Sequence, residues 1–286
     1  MPIRPAPALL LLFAASAGIV CAQAPAPSLI ESFAVRGGYS SDADVGTGSV
    51  AVSHFEVGVS GRFAGGMGLS GLTFKSYQLD ATGPLPLPES LQQASVTIGL
   101  QHRFSPAWSV LALLRPGFYG DFEKLDGDSF NAPLLILANY SAHPELVWTF
   151  GLNLNAVADY PVLPVAGVRW RFAPEWTLNL AFPRTDVTWQ VNEALAYSLG
   201  VRIEGGTFRV TDSPLFAPGA VRLDNTYLDF TEIRVGAGVS LALNETMKLE
   251  LEAGFMADRK FDYYDRDYRL NSDAGGFVSL SLNGRF

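Results

Sequence analysis

Three histidines and one cysteine are the scarcest reactive side chains in this 286-residue sequence, so chemistry that depends on them has few places to go. Cys21 lies near the amino terminus. His143 falls in a short turn, His102 shares the apolar side of an alternating segment with Leu100, and His54 sits at a slip of parity between Val52 and Phe55 that reads as a β-bulge. Serines are plentiful, yet none is placed to be activated by one of these histidines, as nucleophilic catalysis requires. Gly66-x-Gly68-x-x-Gly71 has the spacing of a dinucleotide-binding loop, but such a loop must open a helix. Residues 69–79 alternate as a strand instead, which leaves hairpin glycines. No cluster of His, Cys and Asp has metal-ligand spacing, and the acidic stretches 121–128 and 258–267 read as solvated loops with weak affinity for calcium at most. These residues predict no enzyme, no cofactor and no metal centre.

Charge is placed more regularly than reactivity. Arg169 and Arg171 stand two apart, as do Arg202 and Glu204, Glu232 and Arg234, and the series Lys248, Glu250 and Glu252. A period of two puts each set on one face of one strand. Facing a common interior, the two signs would set a transverse field across a pore and order the solutes that pass. The same pattern fits a salt-bridged plug, since charge taken out of water must be paired.

The segments that carry these charges alternate over most of the chain. Phe55, Val57, Val59 and Phe63 oppose Glu56, Gly58, Ser60 and Arg62; Val96, Ile98 and Leu100 oppose Thr97, Gly99 and Gln101; Trp148, Phe150 and Leu152 oppose Thr149, Gly151 and Asn153. Helical spacing fits none of these runs, and strands with two different faces fit them all. Short turns at 64–66, 105–107, 142–145, 173–175, 192–194 and 243–246 alternate with longer connections at 41–46, 80–90, 120–131, 158–162, 211–225 and 257–273. The tight link at 183–186 is the exception. The expected fold is all-β: a transmembrane antiparallel up-and-down β-barrel of about 14 strands, within 12–16, with short periplasmic turns and longer extracellular loops.

Alternation alone also suits a soluble sandwich or barrel with its apolar face inside. Two features favour the membrane. Aromatics flank the short turns on the apolar face at Phe63, Phe104, Trp108, Trp170, Phe172 and Trp176, where an interfacial girdle belongs. The opposite face is built of Gly, Asn, Thr and Ser rather than the Lys and Glu of a soluble surface. Only 17% of residues are charged, and the net charge of −8 sets aside a nucleic-acid partner, whose phosphates need a surplus of Lys and Arg.

Arg4, the apolar run 8–21 and the small-x-small triplet Val20-Cys21-Ala22 have the layout of a secretory signal, with cleavage expected after Ala22 and a barrel over 23–286. A lipoprotein signal acylated at Cys21 would want a small residue where Val20 stands. Val278, Leu280 and Leu282 alternate toward Phe286, which resembles the carboxy-terminal signal read by the outer-membrane assembly machinery, with Gly284 where a second large apolar residue is usual. That machinery, outer-membrane lipid and small solutes are the expected partners, and the outer membrane the expected location.

From Phe182 to Phe286 the order of features continues through a Pro after an apolar strand, Gly205-Gly206, Glu232-Ile233-Arg234-Val235-Gly236, Ala253-Gly254-Phe255, Arg259 with Phe261, and Arg285-Phe286. This resembles the outer-membrane barrels of the domain of unknown function 6268 family, specifically over about the last third and by architecture elsewhere. The resemblance implies fold and location and brings no activity with it. The function expected is a small passive channel or transporter for small solutes, the alternative being a structural or surface-interaction barrel with a side-chain-plugged lumen.

Overall fold

A computed structural model describes residues 30–212 and 222–286. The expected export signal and part of the 211–225 connection lie outside the described residues. Fourteen wall strands follow in order: β1 (Ser32–Val45), β2 (Gly48–Phe63), β3 (Gly68–Thr82), β4 (Ser90–Arg103), β5 (Trp108–Leu114, resumed at Gly117–Gly120), β6 (Phe130–Asn131 and Leu134–His143), β7 (Leu146–Leu154), β8 (Val162–Ala173), β9 (Trp176–Leu180), β10 (Arg184–Gln190), β11 (Leu195–Val210), β12 (Thr226–Ala242), β13 (Met247–Tyr263) and β14 (Tyr268–Ser272 and Gly275–Arg285). Each pairs antiparallel with the next. The cylinder closes where β1 meets β14, from Ser32 opposite Arg285 to Ser40 opposite Phe277. The breaks in β5 and β6 fall at Pro116 and Pro133, which have no N–H to give the ladder. Their carbonyls still accept, Pro116 from Val96 N and Pro133 from Arg115 N, each at 2.9 Å.

Two of the expected long loops are instead strand. β1 runs on to Val45 before a turn at Gly46 (φ 58°), and β13 reaches Tyr263 before a turn ending at Asp267 (φ 50°). The acidic stretch 258–267 is therefore largely wall. The expected bulge at His54 is also absent: β2 pairs without a break there, and the register shift lies across the ladder in β1, between Ser40 and Ala43.

What reads as a parity slip in β2 is a change of environment along an unbroken strand. β12 shows it most fully. Its inward positions run Leu228, Phe230, Glu232, Arg234, Gly236, while its outward ones run Tyr227, Asp229, Thr231, Ile233, Val235, Ala237, Val239. Toward the short-turn end the strand is apolar outside, as hydrocarbon demands, and polar inside. Toward the long-loop end it is polar outside and apolar inside, as in a water-soluble protein. The inward apolar ends of β1–β4 and β11–β13 converge on one buried cluster that includes Val50, Val52, Tyr77, Leu91, Phe208 and Phe230.

That cluster fills a narrower ring. β9 and β10 are short, so β11 from Ile203 to Val210 has no β10 neighbour. Its far end turns to the second segment of β5 instead, with Arg209 opposite Gly120 in parallel and Asp121 N donating to Arg209 O at 2.9 Å. At the other end the aromatic girdle is continuous across neighbouring strands, Phe172, Trp176, Trp189 and Tyr197 stacking in sequence at centroid separations of 6.3, 5.9 and 5.9 Å.

Candidate functional site

The lumen is the candidate site, and its paired charge lies on one side. Glu204 of β11 gathers three cations: Arg36 of β1 donates to it, Lys75 of β3 lies 3.3 Å away and Arg202 lies 3.7 Å away. Arg202 also reaches Glu252 of β13 at 3.1 Å, and Arg36 Nε donates to Ser279 of β14 at 3.1 Å. One layer nearer the apolar cluster, Glu232 sits between Arg234 and Arg259, accepting from their Nε atoms at 2.8 and 2.6 Å and from Ser40 Oγ at 3.1 Å. All three of these charged side chains are fully buried. Arg259 also donates to Val50 O, and His54 Nδ1 stands 3.5 Å from Arg234 Nη2. These partners come from strands far apart in sequence, so ion pairing ties the wall together across the lumen.

The expected lumen residues divide into three groups. Arg202, Glu204, Glu232, Arg234 and Glu252 join the networks just described. Lys248 and Glu250 pair with one another at 2.7 Å nearer the short-turn mouth, with Lys248 half exposed. Arg169 and Arg171 on β8 share the inward parity but are exposed and make no side-chain ion pair among the described residues. Arg36, Lys75, Arg259 and Glu56 complete the charged side and were not among the expected residues. Arg36 and Lys75 are lone charges in otherwise small or polar runs, and period two would have found them.

The opposite side of the lumen is aliphatic. Leu111 and Leu113 of β5 face Leu137 and Leu135 of β6 across the ladder, all four half-buried, and lie between Gly99 on β4 and Gly151 on β7. A Cβ on Gly99 would come within 2.5 Å of Leu113 Cδ2, and one on Gly151 within 2.6 Å of Leu137 Cδ2, so the glycines give the leucines room to lean. The sequence signal is the loss of alternation in Val110-Leu111-Ala112-Leu113-Leu114 and Leu134-Leu135-Ile136-Leu137. Apolar residues on both faces mean lipid outside and an apolar lining inside.

Open space runs between these sides. A cavity of about 600 Å³ at the short-turn mouth is lined by Glu56, Ser60, Gln190, Ser240 and Lys248. A neighbouring one of about 520 Å³ touches Arg62, Leu69, Thr97 and Leu113. A third, of about 630 Å³, reaches from Arg36, Lys75 and Gln93 to Leu163, Phe182 and Ile203. Among the described residues no group of three His, Cys, Asp or Glu side chains is arranged to hold a metal ion.

At the carboxy terminus, Val278 and Leu280 point outward and are exposed, Leu282 shares their side, and Phe286 caps the seam with its N–H on Glu31 O at 2.9 Å. Gly284 stands where a large residue is usual because the Phe33 ring lies across it: a Cβ there would meet Phe33 Cε1 at 2.1 Å.

The family described as Domain of unknown function (DUF6268) matches residues 69–271. No curated protein matches the sequence significantly. Among solved structures, an outer-membrane channel from Pseudomonas putida F1 aligns with a TM-score of 0.48 and 10% identity, over 91% of this chain and 97% of that one. The NanC porin aligns with a TM-score of 0.45 and 9% identity, over 89% and 100%. The toluene transporter TbuX of Ralstonia pickettii aligns with a TM-score of 0.43 and 10% identity, over 90% of each chain.

Proposed function

This chain belongs to the family described as Domain of unknown function (DUF6268), and we propose that it serves in the outer membrane as a channel or transporter for small solutes, without catalysis. The observation that carries the proposal is the lumen itself. Charged residues gather on one side of it and leucines on the other, and cavities of about 600, 520 and 630 Å³ occupy the space between, from the short-turn mouth to mid-barrel. A barrel with a purely structural task gains nothing from holding a two-sided surface open to water. Exposed apolar side chains on the outward face, from the girdle at Trp176 and Tyr197 up to Val201 and Val235, support placement in a bilayer. The closing strand that ends on Phe286 supports delivery by the outer-membrane assembly machinery.

One observation favours the alternative of a plugged, non-transporting barrel: the buried apolar cluster occupies the extracellular end of the axis. Transport measured in cells separates the two. In a Gram-negative host lacking its general porins, the protein is expected to raise the uptake of small molecules, tested with one polar and one apolar probe. Unchanged permeability to both, with the barrel folded in the outer membrane, would establish the plugged reading.

A further inference from the structure

Among the described residues the wall of the barrel is incomplete at one place. β8 pairs with β9 only from Val168 downward, so among the described residues Val162–Gly167 have no strand on that edge. β10 pairs with β11 only up to Arg202, so among the described residues the edge of β11 beyond it is free until Arg209 reaches Gly120. Between the two free edges lies a window. Its sill is the β9–β10 turn at Phe182 and Pro183, where Pro183 O accepts from Ile203 N at 2.8 Å. Its lintel is the β7–β8 connection, held down where Asp159 N donates to Asp229 Oδ2 at 3.4 Å and Tyr264 Oη donates to Val157 O.

Height places the window against lipid. From Tyr197 in the girdle to Ile203 the rise is roughly 15 Å for a strand tilted about 40°, within an apolar band about 25 Å tall. The opening therefore faces the outer half of the bilayer, and Val162, Leu180 and Phe182 around it are exposed. Free strand edges at that depth are tolerated only where their N–H and C=O groups meet water or line a cavity. A cavity is what the structure puts there: the same 630 Å³ space is bounded by Leu163, Phe182 and Ile203 at the window and by Lys75, Gln93 and Arg36 inside the lumen.

We propose that this window is a lateral gate through which small amphipathic molecules, with an apolar body and a hydrogen-bonding group, pass between the lumen and the outer leaflet. The inference rests on the channel reading and supplies its missing exit, because the apolar cluster closes the axis above. The cargo class follows from the lining. Leu111, Leu113, Leu135 and Leu137 offer an apolar surface inside the lumen, Leu163 and Phe182 form an apolar edge at the opening with Asn153 between Leu135 and Leu163 on the ladder, and the charged side opposite keeps a polar group solvated. A sugar would find hydrogen-bonding partners inside at Gln93, Asn153 and Asn155 but none in the lipid beyond the sill.

The test uses the whole protein in outer membranes of a porin-deficient host, with 1-N-phenylnaphthylamine as the apolar probe and arabinose as the polar one. The Leu163→Cys/Ile203→Cys variant places a thiol on each jamb; Cys21 is the only native cysteine. Before bridging, phenylnaphthylamine uptake is expected to exceed that of cells lacking the protein several-fold. Bridging with a bifunctional methanethiosulfonate should bring it down to their level, and reduction should restore it in the same cells. Leu163→Trp, which fills the opening without reagents, should slow uptake in the same way if the double variant does not fold. Undiminished phenylnaphthylamine uptake through a bridged, folded barrel would overturn the lateral route, as would passage of arabinose alone. Passage of neither probe would overturn the channel reading along with it.

Discussion

Glu232 holds two fully buried guanidinium groups, and nothing else among the described residues neutralises them. Glu232→Gln keeps the shape and removes the charge, leaving Arg234 and Arg259 facing one another in a fully buried site. Stranding a buried charge costs about 3–5 kcal/mol. Glu250→Gln removes the partner of a half-exposed lysine and should cost about 0–1 kcal/mol, because water replaces the lost contact. Denaturant titration of the two variants in lipid or detergent measures the difference. Equal effects would mean that water reaches the Glu232 site. The same contrast predicts where charge can bear on solutes: Glu250 and Glu252 border water in the lumen, and the Glu232 site serves the wall.

At the scale of the strand, β12 carries its environment in its own sequence. Val235→Arg puts a charge on the lipid face near mid-band and should cost about 2–4 kcal/mol, whereas Ser240→Arg points into the lumen and should cost much less. Thr231→Arg, outward on the same strand but lining the 630 Å³ cavity rather than lipid, should likewise cost much less than the mid-band variant. Refolding equilibria into vesicles rank the three, and equal penalties would show the faces to be misassigned. Alternation made the strand count, the girdle and five of the network residues readable from the sequence. It failed in two ways, both physical. Where the wall leaves the membrane, apolar residues move from the outer to the inner face of an unbroken strand, and Val52-Ser53-His54-Phe55 then imitates a bulge. Where the lumen lining is itself apolar, as in β5 and β6, alternation vanishes and the face cannot be read. The window was invisible for a third reason: it arises from strands β9 and β10 being shorter than their neighbours β8 and β11, a relation between elements that no single segment displays.

For the whole molecule, the apolar cluster and the window divide the labour of sealing and passage. Phe208→Ala with Phe230→Ala should remove the seal, costing about 3–5 kcal/mol for each ring deleted. It should also turn a barrel of low ionic conductance into one with discrete openings in planar bilayers. A double variant that stays folded and silent would show that something other than this cluster closes the axis. The seam between β1 and β14 has a consequence for the order of assembly. Ser32 pairs with Arg285, and Phe286 N bonds to Glu31 O, so the contacts that close the cylinder join the two ends of the described chain. Loop-closure entropy for a contact of that span is paid before any of its ladder forms. Every other wall contact can form while the sheet is still an open ribbon, but its curvature has nothing to hold it until the last strand arrives. The ribbon's two free edges, β1 and β14, must meanwhile be shielded from pairing with other chains, so the closing step, rather than the formation of any hairpin, is where a catalyst of insertion would act on this protein.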